Sequence, residues 1–333
     1  MIAGKTIAAV VPAYNEELLI SKTVNSMPDY VDAIIVVNDG STDKTLQLLV
    51  EMQKTEKRLD IVDHKINKGL GQSLITGYVR AREKEYDVVT IMAGDAQMCP
   101  DDLPTIIQPI VENNADYVKG NRLLVGDVAK HMPMHRLIGN AGLTLLTKFA
   151  TGYWHIIDPQ CGYTAISKKA LASIPIENMT KGYGYNADIL NMLNIRNFIV
   201  SDVEVKPVYG QEQSKIKLHS YIPNIIYLIT KLFIRRIVHK HFVLNFNPLC
   251  LSYFAGLLLI IGCGIPLGMR LFWLYLKTGT FPQTTMLCLM LVSIAGLQTL
   301  LSAIQSDMED NKWNNIKTNM HGALNEINNN TST

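Results

Sequence analysis

The chain has 333 residues, room for one large domain or two modest ones, and is 48% hydrophobic but only 18% charged. A soluble domain carries about 25% charged residues, and the deficit here is concentrated in the C-terminal third, so the chain is not uniform. A net charge of +2 without a basic patch interleaved with aromatics excludes nucleic acid as an expected partner, and five scattered cysteines without a Cys-x-x-Cys pair exclude a zinc site or disulfide framework and fit a reducing compartment.

In chain order, Ile7–Val11 reads as a first strand rather than a signal peptide, because the run is short and meets Pro12. The loop Pro12-Ala13-Tyr14-Asn15-Glu16-Glu17 opens a helical segment over Glu16–Ser26. The free N–H groups of a helix start suit a nucleotide base or ribose, with a plain corner capped by Asn15 as the equal alternative. Ala33–Val37 is the second strand, followed by Asn38-Asp39-Gly40-Ser41-Thr42-Asp43. Asp39 stands just beyond a buried strand, where a carboxylate accepts hydrogen bonds from base or ribose, and Gly40 permits a tight turn. Ser41 or Thr42 is expected to cap the helix over Lys44–Glu56, with Asp43 in its first turn. Asp60–Val62 is a third strand, Leu70–Ala81 a helix, and Val88–Met92 a fourth strand.

The loop after that strand is Ala93-Gly94-Asp95-Ala96-Gln97. A magnesium or manganese ion takes oxygen ligands and keeps substrate phosphate oxygens in its shell, and Asp95 and Gln97, two apart in an extended loop, suit such an ion. Asp101 and Asp102 are expected to cap the helix over Leu103–Glu112, and Asp116–Lys119 is a fifth strand. Alternation of strands and helices predicts a mostly parallel sheet with helices on both faces, and ligands at the carboxyl ends of the strands.

No charged residue occurs from Phe242 to Met269 or from Thr278 to Ser306. Each run supplies the roughly 20 apolar residues of a membrane span, placed at about 248–267 and 285–304. Lys231, Arg235, Arg236, His239, Lys240 and His241 precede the first span and suggest an amphipathic helix on the membrane surface, its basic residues favouring the cytoplasmic side. Two spans would return the Asn-rich tail to the cytoplasm, its end poorly ordered. The expected division is a catalytic domain over 1–216, an interfacial helix over 217–242, two spans within 243–306 and a cytoplasmic tail over 307–333.

The three acidic loops, in order at the ends of alternating strands, resemble the inverting family 2 glycosyltransferases with the GT-A nucleotide-binding fold, and within them the polyprenyl-phosphate sugar transferases of the dolichyl-phosphate mannosyltransferase group. The resemblance covers roughly residues 5–216. It implies nucleotide-sugar contacts at Pro12, Tyr14, Glu16, Val37, Asp39, Asp95 and Arg122, and ligation of Mg2+ or Mn2+ by Asp95 and Gln97. Ala93 stands where the family pattern has a further Asp, so the implied ion has two protein ligands here. Gly120-Asn121-Arg122 is similar to the family's Gly-Ser-Arg, and Arg122 would bind phosphate bidentately. Asp158-Pro159-Gln160-Cys161-Gly162-Tyr163 is similar to the acceptor-side loop. Asp188, in Tyr183-Gly184-Tyr185-Asn186-Ala187-Asp188, falls where many members place an acid near the acceptor. Lys215, in Ser214-Lys215-Ile216, would neutralise a diphosphate or lipid phosphate.

The expected reaction is transfer of a sugar from a UDP- or GDP-linked donor to a polyprenyl phosphate at the cytoplasmic membrane face. If the acceptor is instead a saccharide hydroxyl, a general base is needed, and Asp188 and then Asp158 are the candidates. A non-catalytic membrane scaffold is the reading from another class, supported by Ala93 alone. A nucleotidyltransferase would show a Gly-rich basic loop after the first strand, where this chain has an acidic one. A homo-oligomer is an open alternative for the assembly.

Overall fold

The computed structural model describes residues 1–123, 134–182, 184–206 and 218–330. The chain divides into two compact units, Met1–Phe233 with Asn314–Thr333, and Ile234–Trp313.

The first unit is built on a seven-stranded sheet: β1 Ile7–Ala13, β2 Ala33–Asp39, β3 Leu59–His64, β4 Val88–Ile91, β5 Tyr117–Asn121, β6 Thr164–Ser167 and β7 Val200–Glu204. Their order is β3-β2-β1-β4-β6-β5-β7. Every pairing is parallel except those of β6, which runs antiparallel to β4 and β5. β1 and β2 are nearly continuous apolar runs because both faces of a parallel sheet are covered. Alternate residues point to opposite faces. Ala8, Val10 and Ile35 pack with Leu74 and Tyr78 of helix α3 (Leu70–Glu83). Ile7, Ala9 and Val11 pack with Ile20 of α1 (Ile20–Asn25), Leu49 of α2 (Thr45–Met52) and Ile106 of α4 (Leu103–Val111). Among the described residues the further α-helices are α5 Met134–Thr151, α6 Lys168–Ser173, α7 Tyr185–Ile195 and α8 Leu218–Val238.

The mostly parallel sheet and its first five strands follow the sequence pattern. β6 and β7 are short and were not separated by it. The first helix starts at Ile20 rather than Glu16, because Asn15 turns through a positive φ of 57° and Glu16–Leu19 form a turn first.

The second unit continues from α8 through a π-helical turn, His239–Leu244, into α9 (Pro248–Leu257), a second π-helical stretch and α10 (Ile265–Thr278), then α11 (Gln283–Asn330). Pro248–Thr278 and Gln283–Asp310 are long and apolar enough to cross a membrane, each with mean hydropathy 2.1 and with only 22% and 11% of their apolar windows buried. So little burial is unlike a core helix of a soluble domain. The two helices approach through glycines: a Cβ on Gly256 would lie 2.7 Å from Leu300, and one on Gly296 2.7 Å from Ile260.

The basic residues ahead of the first span are not all on the surface, as the amphipathic pattern suggests. Arg236 is 0% exposed and donates from both Nη atoms to Asp307, at 2.6 and 2.7 Å, while buried Lys240 donates to Asp310 at 2.7 Å. Burial pushes the Lys240 pKa down, and burial with the neighbouring Lys240 and Arg236 charges pushes His241 down to about 4. The tail is also less irregular than its composition suggests, since α11 runs on to Asn330.

Candidate active site

The carboxyl ends of β1, β2, β4 and β5 share one edge of the sheet. Because β6 is antiparallel, its start lies on that same edge: Thr164 pairs with both Ile91 and Lys119. The loop after β4, the loop before β6 and the end of β5 are thereby brought together, although the sequence separates them by tens of residues.

The loops after β1 and β2 are laced to each other. Asn15 Oδ1 accepts from Thr42 N at 2.8 Å, Ser41 Oγ accepts from Asn15 N at 3.0 Å, and Thr45 Oγ1 accepts from Glu16 N at 2.9 Å. Asn15 therefore braces the neighbouring loop instead of capping α1. Ser41 and Thr42 serve that lacing; the N-cap residue of α2, Lys44, makes no side-chain cap, and Asp43 just before it accepts from Thr45 N at 3.0 Å. Pro12 and Val37 face each other across the β1–β2 pairing, and Tyr14 beside them is 47% exposed.

Asp39 is buried and its oxygens already accept from His64 Nδ1 at 2.8 Å, Lys68 N at 3.0 Å and Gly69 N at 2.8 Å. Burial acts to raise its pKa, but these bonds outweigh it and hold the carboxyl below the usual carboxylate range. The side chain expected to meet base or ribose thus organises the start of α3. Sequence reasoning had no signal for His64 as its partner.

In the loop after β4, Asp95 Oδ1 accepts from Gln97 N at 3.0 Å, and Ala96 adopts a positive φ of 53°. The turn keeps Asp95 and Gln97 on one short arc. Among the described residues no group of three or more His, Cys, Asp or Glu side chains could hold a metal. The donor set is thus one carboxylate and one amide oxygen, which fits Mg2+ or Mn2+ only with phosphate oxygens completing the shell. Asp101 and Asp102 do not cap α4 with their side chains; Asp102 instead accepts from Lys206 N at 2.7 Å.

Arg122 and Asp158 meet directly. Arg122 Nε and Nη2 donate to the two oxygens of buried Asp158 at 2.8 and 3.2 Å. Asp188 is 2% exposed and its Oδ2 accepts from Thr180 N at 2.7 Å and Thr180 Oγ1 at 2.6 Å. Both carboxylates expected as possible bases are therefore engaged by the protein itself. Lys215 and Tyr183 lie outside the described residues.

Beneath Arg122 is a polar layer that sequence reasoning missed. Lys119 on β5 is fully buried; its Nζ donates to Cys161 O at 2.6 Å and to Asn186 Oδ1 at 2.8 Å. Asn121 donates to Asp202 Oδ2 at 2.7 Å, and burial raises the Asp202 pKa. A lysine, an asparagine and an aspartate in strand-like runs were the only signal available.

The model of glycosyl transferase family 2 matches residues 8–174, half of the chain, covering the β1, β2 and β4 loops and the Arg122–Asp158 pair. The chain belongs to glycosyl transferase family 2. This family 2 chain is 32% identical over 223 residues to the UDP-N-acetylglucosamine–dolichyl-phosphate N-acetylglucosaminyltransferase of Methanococcus voltae, covering 63% of this chain and 88% of that protein. It is 26% identical over 186 residues to the undecaprenyl-phosphate mannosyltransferase of Micrococcus luteus, covering 55% of this chain and 75% of that protein. The fold is that of glucosyl-3-phosphoglycerate synthase from Mycobacterium tuberculosis, solved with Mn2+, UDP and glucosyl-3-phosphoglycerate, at TM-score 0.53 and 20% identity over 70% of this chain and 80% of that one. The family 2 chain thus has the GT-A architecture, and it is a glycosyltransferase; the scaffold reading loses its support.

Proposed function

We propose that this enzyme transfers a sugar, with inversion, from a UDP- or GDP-linked donor to the phosphate of a polyprenyl lipid at the cytoplasmic face of a membrane. One observation carries the choice of acceptor. Asp158 is held in a two-point pair with Arg122, and Asp188 is buried under Thr180. A sugar hydroxyl requires a base within hydrogen-bond reach. A lipid phosphate is an anion at neutral pH and attacks the anomeric carbon unaided. The acceptors named for the Methanococcus voltae and Micrococcus luteus relatives, a dolichyl and an undecaprenyl phosphate, support the same choice. The two long apolar helices supply an anchor suited to a lipid acceptor.

In this reading the donor lies along the sheet edge, with Pro12, Tyr14, Glu16 and Val37 at the nucleotide and Asp39 shaping the floor through Lys68 and Gly69. Asp95 and Gln97 would hold Mg2+ or Mn2+, whose charge would stabilise the departing nucleoside diphosphate. Arg122, its guanidinium plane fixed by Asp158, orients a phosphate, and Lys215 adds a second cation.

The test is incubation of the full chain in membranes with radiolabelled UDP-N-acetylglucosamine, UDP-glucose and GDP-mannose, with Mn2+ or with EDTA. Label should enter the lipid extract from one donor, with Mn2+ and not with EDTA, and Asp95→Ala should abolish it. Label confined to saccharide would move the acceptor to a hydroxyl, and no transfer from any donor would refute the reading.

A further inference from the structure

Lys119 occupies the middle of β5 at 0% exposure, two residues from buried Tyr117 and so on the same face of the sheet. Lysine is almost never fully buried unless its charge is used. Here it grips a loop. Nζ donates to Cys161 O at 2.6 Å and to Asn186 Oδ1 at 2.8 Å, and Asn186, in the first turn of α7, donates in turn to Gln160 O at 3.2 Å. A bonded Lys–Asn pair thus holds two successive carbonyls. The next three residues, two in β5 and one just beyond it, hold the same loop at other points: Gly120 N donates to Tyr163 O at 2.8 Å, Asn121 donates to Asp202 at 2.7 Å while that oxygen also accepts from Ile157 N at 3.0 Å, and Arg122 pairs with Asp158. Tyr163 OH donates to Cys99 O at 3.0 Å, joining the loop to the segment that follows Asp95. An apolar side chain at 119 would make neither Nζ bond, so Cys161 O and Asn186 Oδ1 would lose this partner while the neighbouring bonds remained.

We propose that Lys119 is a positioning residue for sugar transfer: its ammonium fixes the 157–163 loop against β5 and α7 and thereby holds the Arg122–Asp158 pair beside the Asp95 loop. It acts through Arg122 and touches neither substrate. The kinetic part of the test rests on the proposed transfer reaction; the loop-fixing part does not.

The groups facing Lys119 are Cys161 and Asp158 from the loop, Arg122 just beyond its own strand, Asp202 on β7, and Asn186 on α7. Burial pushes its pKa down to about 8; Arg122 acts in the same direction, and Cys161, Asp158 and Asp202 oppose it. As pH rises through about 8 the ammonium becomes an amine and the grip weakens. Stability moves the other way. Between that value and the ordinary 10.5 Lys119 is less protonated in the folded chain than in the unfolded one, so its contribution to stability rises with pH across the interval. A lysine with only a structural role would not separate activity from stability in this manner.

The experiment compares wild type with Lys119→Met, using the full chain, by UDP and GDP binding, transfer of label to lipid, and hydrogen exchange of the 157–163 amides corrected for intrinsic rates. Lys119→Met should melt at or above the wild-type temperature at pH 7 and bind nucleotide within about twofold. It should transfer about ten- to a hundredfold more slowly, the scale of a misplaced catalytic group. Wild-type transfer should fall along an alkaline limb centred near pH 8, which the variant lacks, and loop exchange should quicken in the variant. Unchanged loop exchange, or transfer within about twofold of wild type, would overturn the proposal. If Lys119→Met does not fold, the wild-type profile decides: loop exchange that does not change across pH 8 overturns it. Wild type that labels no lipid, while its loop exchange still depends on Lys119, would refute the acceptor reading and leave this one standing.

Discussion

At Asp39 three donors converge on two oxygens: His64 Nδ1 at 2.8 Å, Lys68 N at 3.0 Å and Gly69 N at 2.8 Å. An amide in its place must turn an NH2 toward at least one of those donors, so Asp39→Asn leaves a buried clash as well as a lost charge. We expect a cost of about 3 kcal/mol, read as a lowered thermal midpoint together with weakened nucleotide binding. A normal midpoint with weakened binding would instead make Asp39 a direct ligand and nothing more. The sign of the pH dependence follows from the lowered folded-state pKa. The contribution is present at neutral pH and disappears on acidification below about 4, the unfolded carboxylate value. That Asp39 closes a buried strand was legible in the sequence. Its partner was not, because His64 lies 25 residues on and meets it only through the β2–β3 register, where Asp39 stands opposite His64.

At the scale of elements, the apolar runs of β1, β2 and β4 were readable because a two-faced buried strand leaves a dense signal. β6 was not: Thr164–Ser167 is four residues long and its direction is decided by pairing with β4 and β5. That reversal puts the Asp158 loop at the site. The same limit explains Asp188, whose helical first-turn position was plain but whose partner is a loop. Thr180, held by Asp188, presses with Lys181 on the start of α3: Gly71 N donates to Lys181 O at 2.9 Å, and a Cβ on Gly71 would lie 2.4 Å from Thr180 O. Backbone cannot swing aside as a side chain does, so Gly71→Ala should cost about 1–3 kcal/mol and loosen the loop that Asp188 anchors. Gly182, two residues beyond Thr180, has nothing within 4 Å of an added Cβ. Gly182→Ala should therefore stay within about 0.5 kcal/mol. Equal melting temperatures for the two variants would show that the α3 contact is slack.

For the molecule as a whole, the low charge content pointed correctly to two long apolar helices, and the same scarcity makes the charges near their ends informative. Arg236 and Lys240, four apart, looked like one face of a surface helix. Asp307 and Asp310, three apart, close the second apolar helix some seventy residues later, and the two sets interlock at 2.6 to 2.7 Å. No local pattern links such distant segments, though a matched spacing of bases and acids flanking two uncharged runs is a cue that a pairwise reading would catch. Asp307 also accepts from Tyr253 OH at 3.4 Å, so one carboxylate serves an arginine and a tyrosine. With both partners buried, at 0% and 1% exposure, removal of either leaves the other charged and unsolvated. Arg236→Met or Asp307→Leu alone should each cost about 3–5 kcal/mol, whereas the double substitution should recover most of that loss because an apolar pair removes both desolvation penalties together. Thermal unfolding of the full chain in detergent, run as a double-mutant cycle, measures the coupling. Additive losses would mean that the pair contributes little to holding this unit together, and that Arg236 is better understood through the tyrosine and the second ion pair around it.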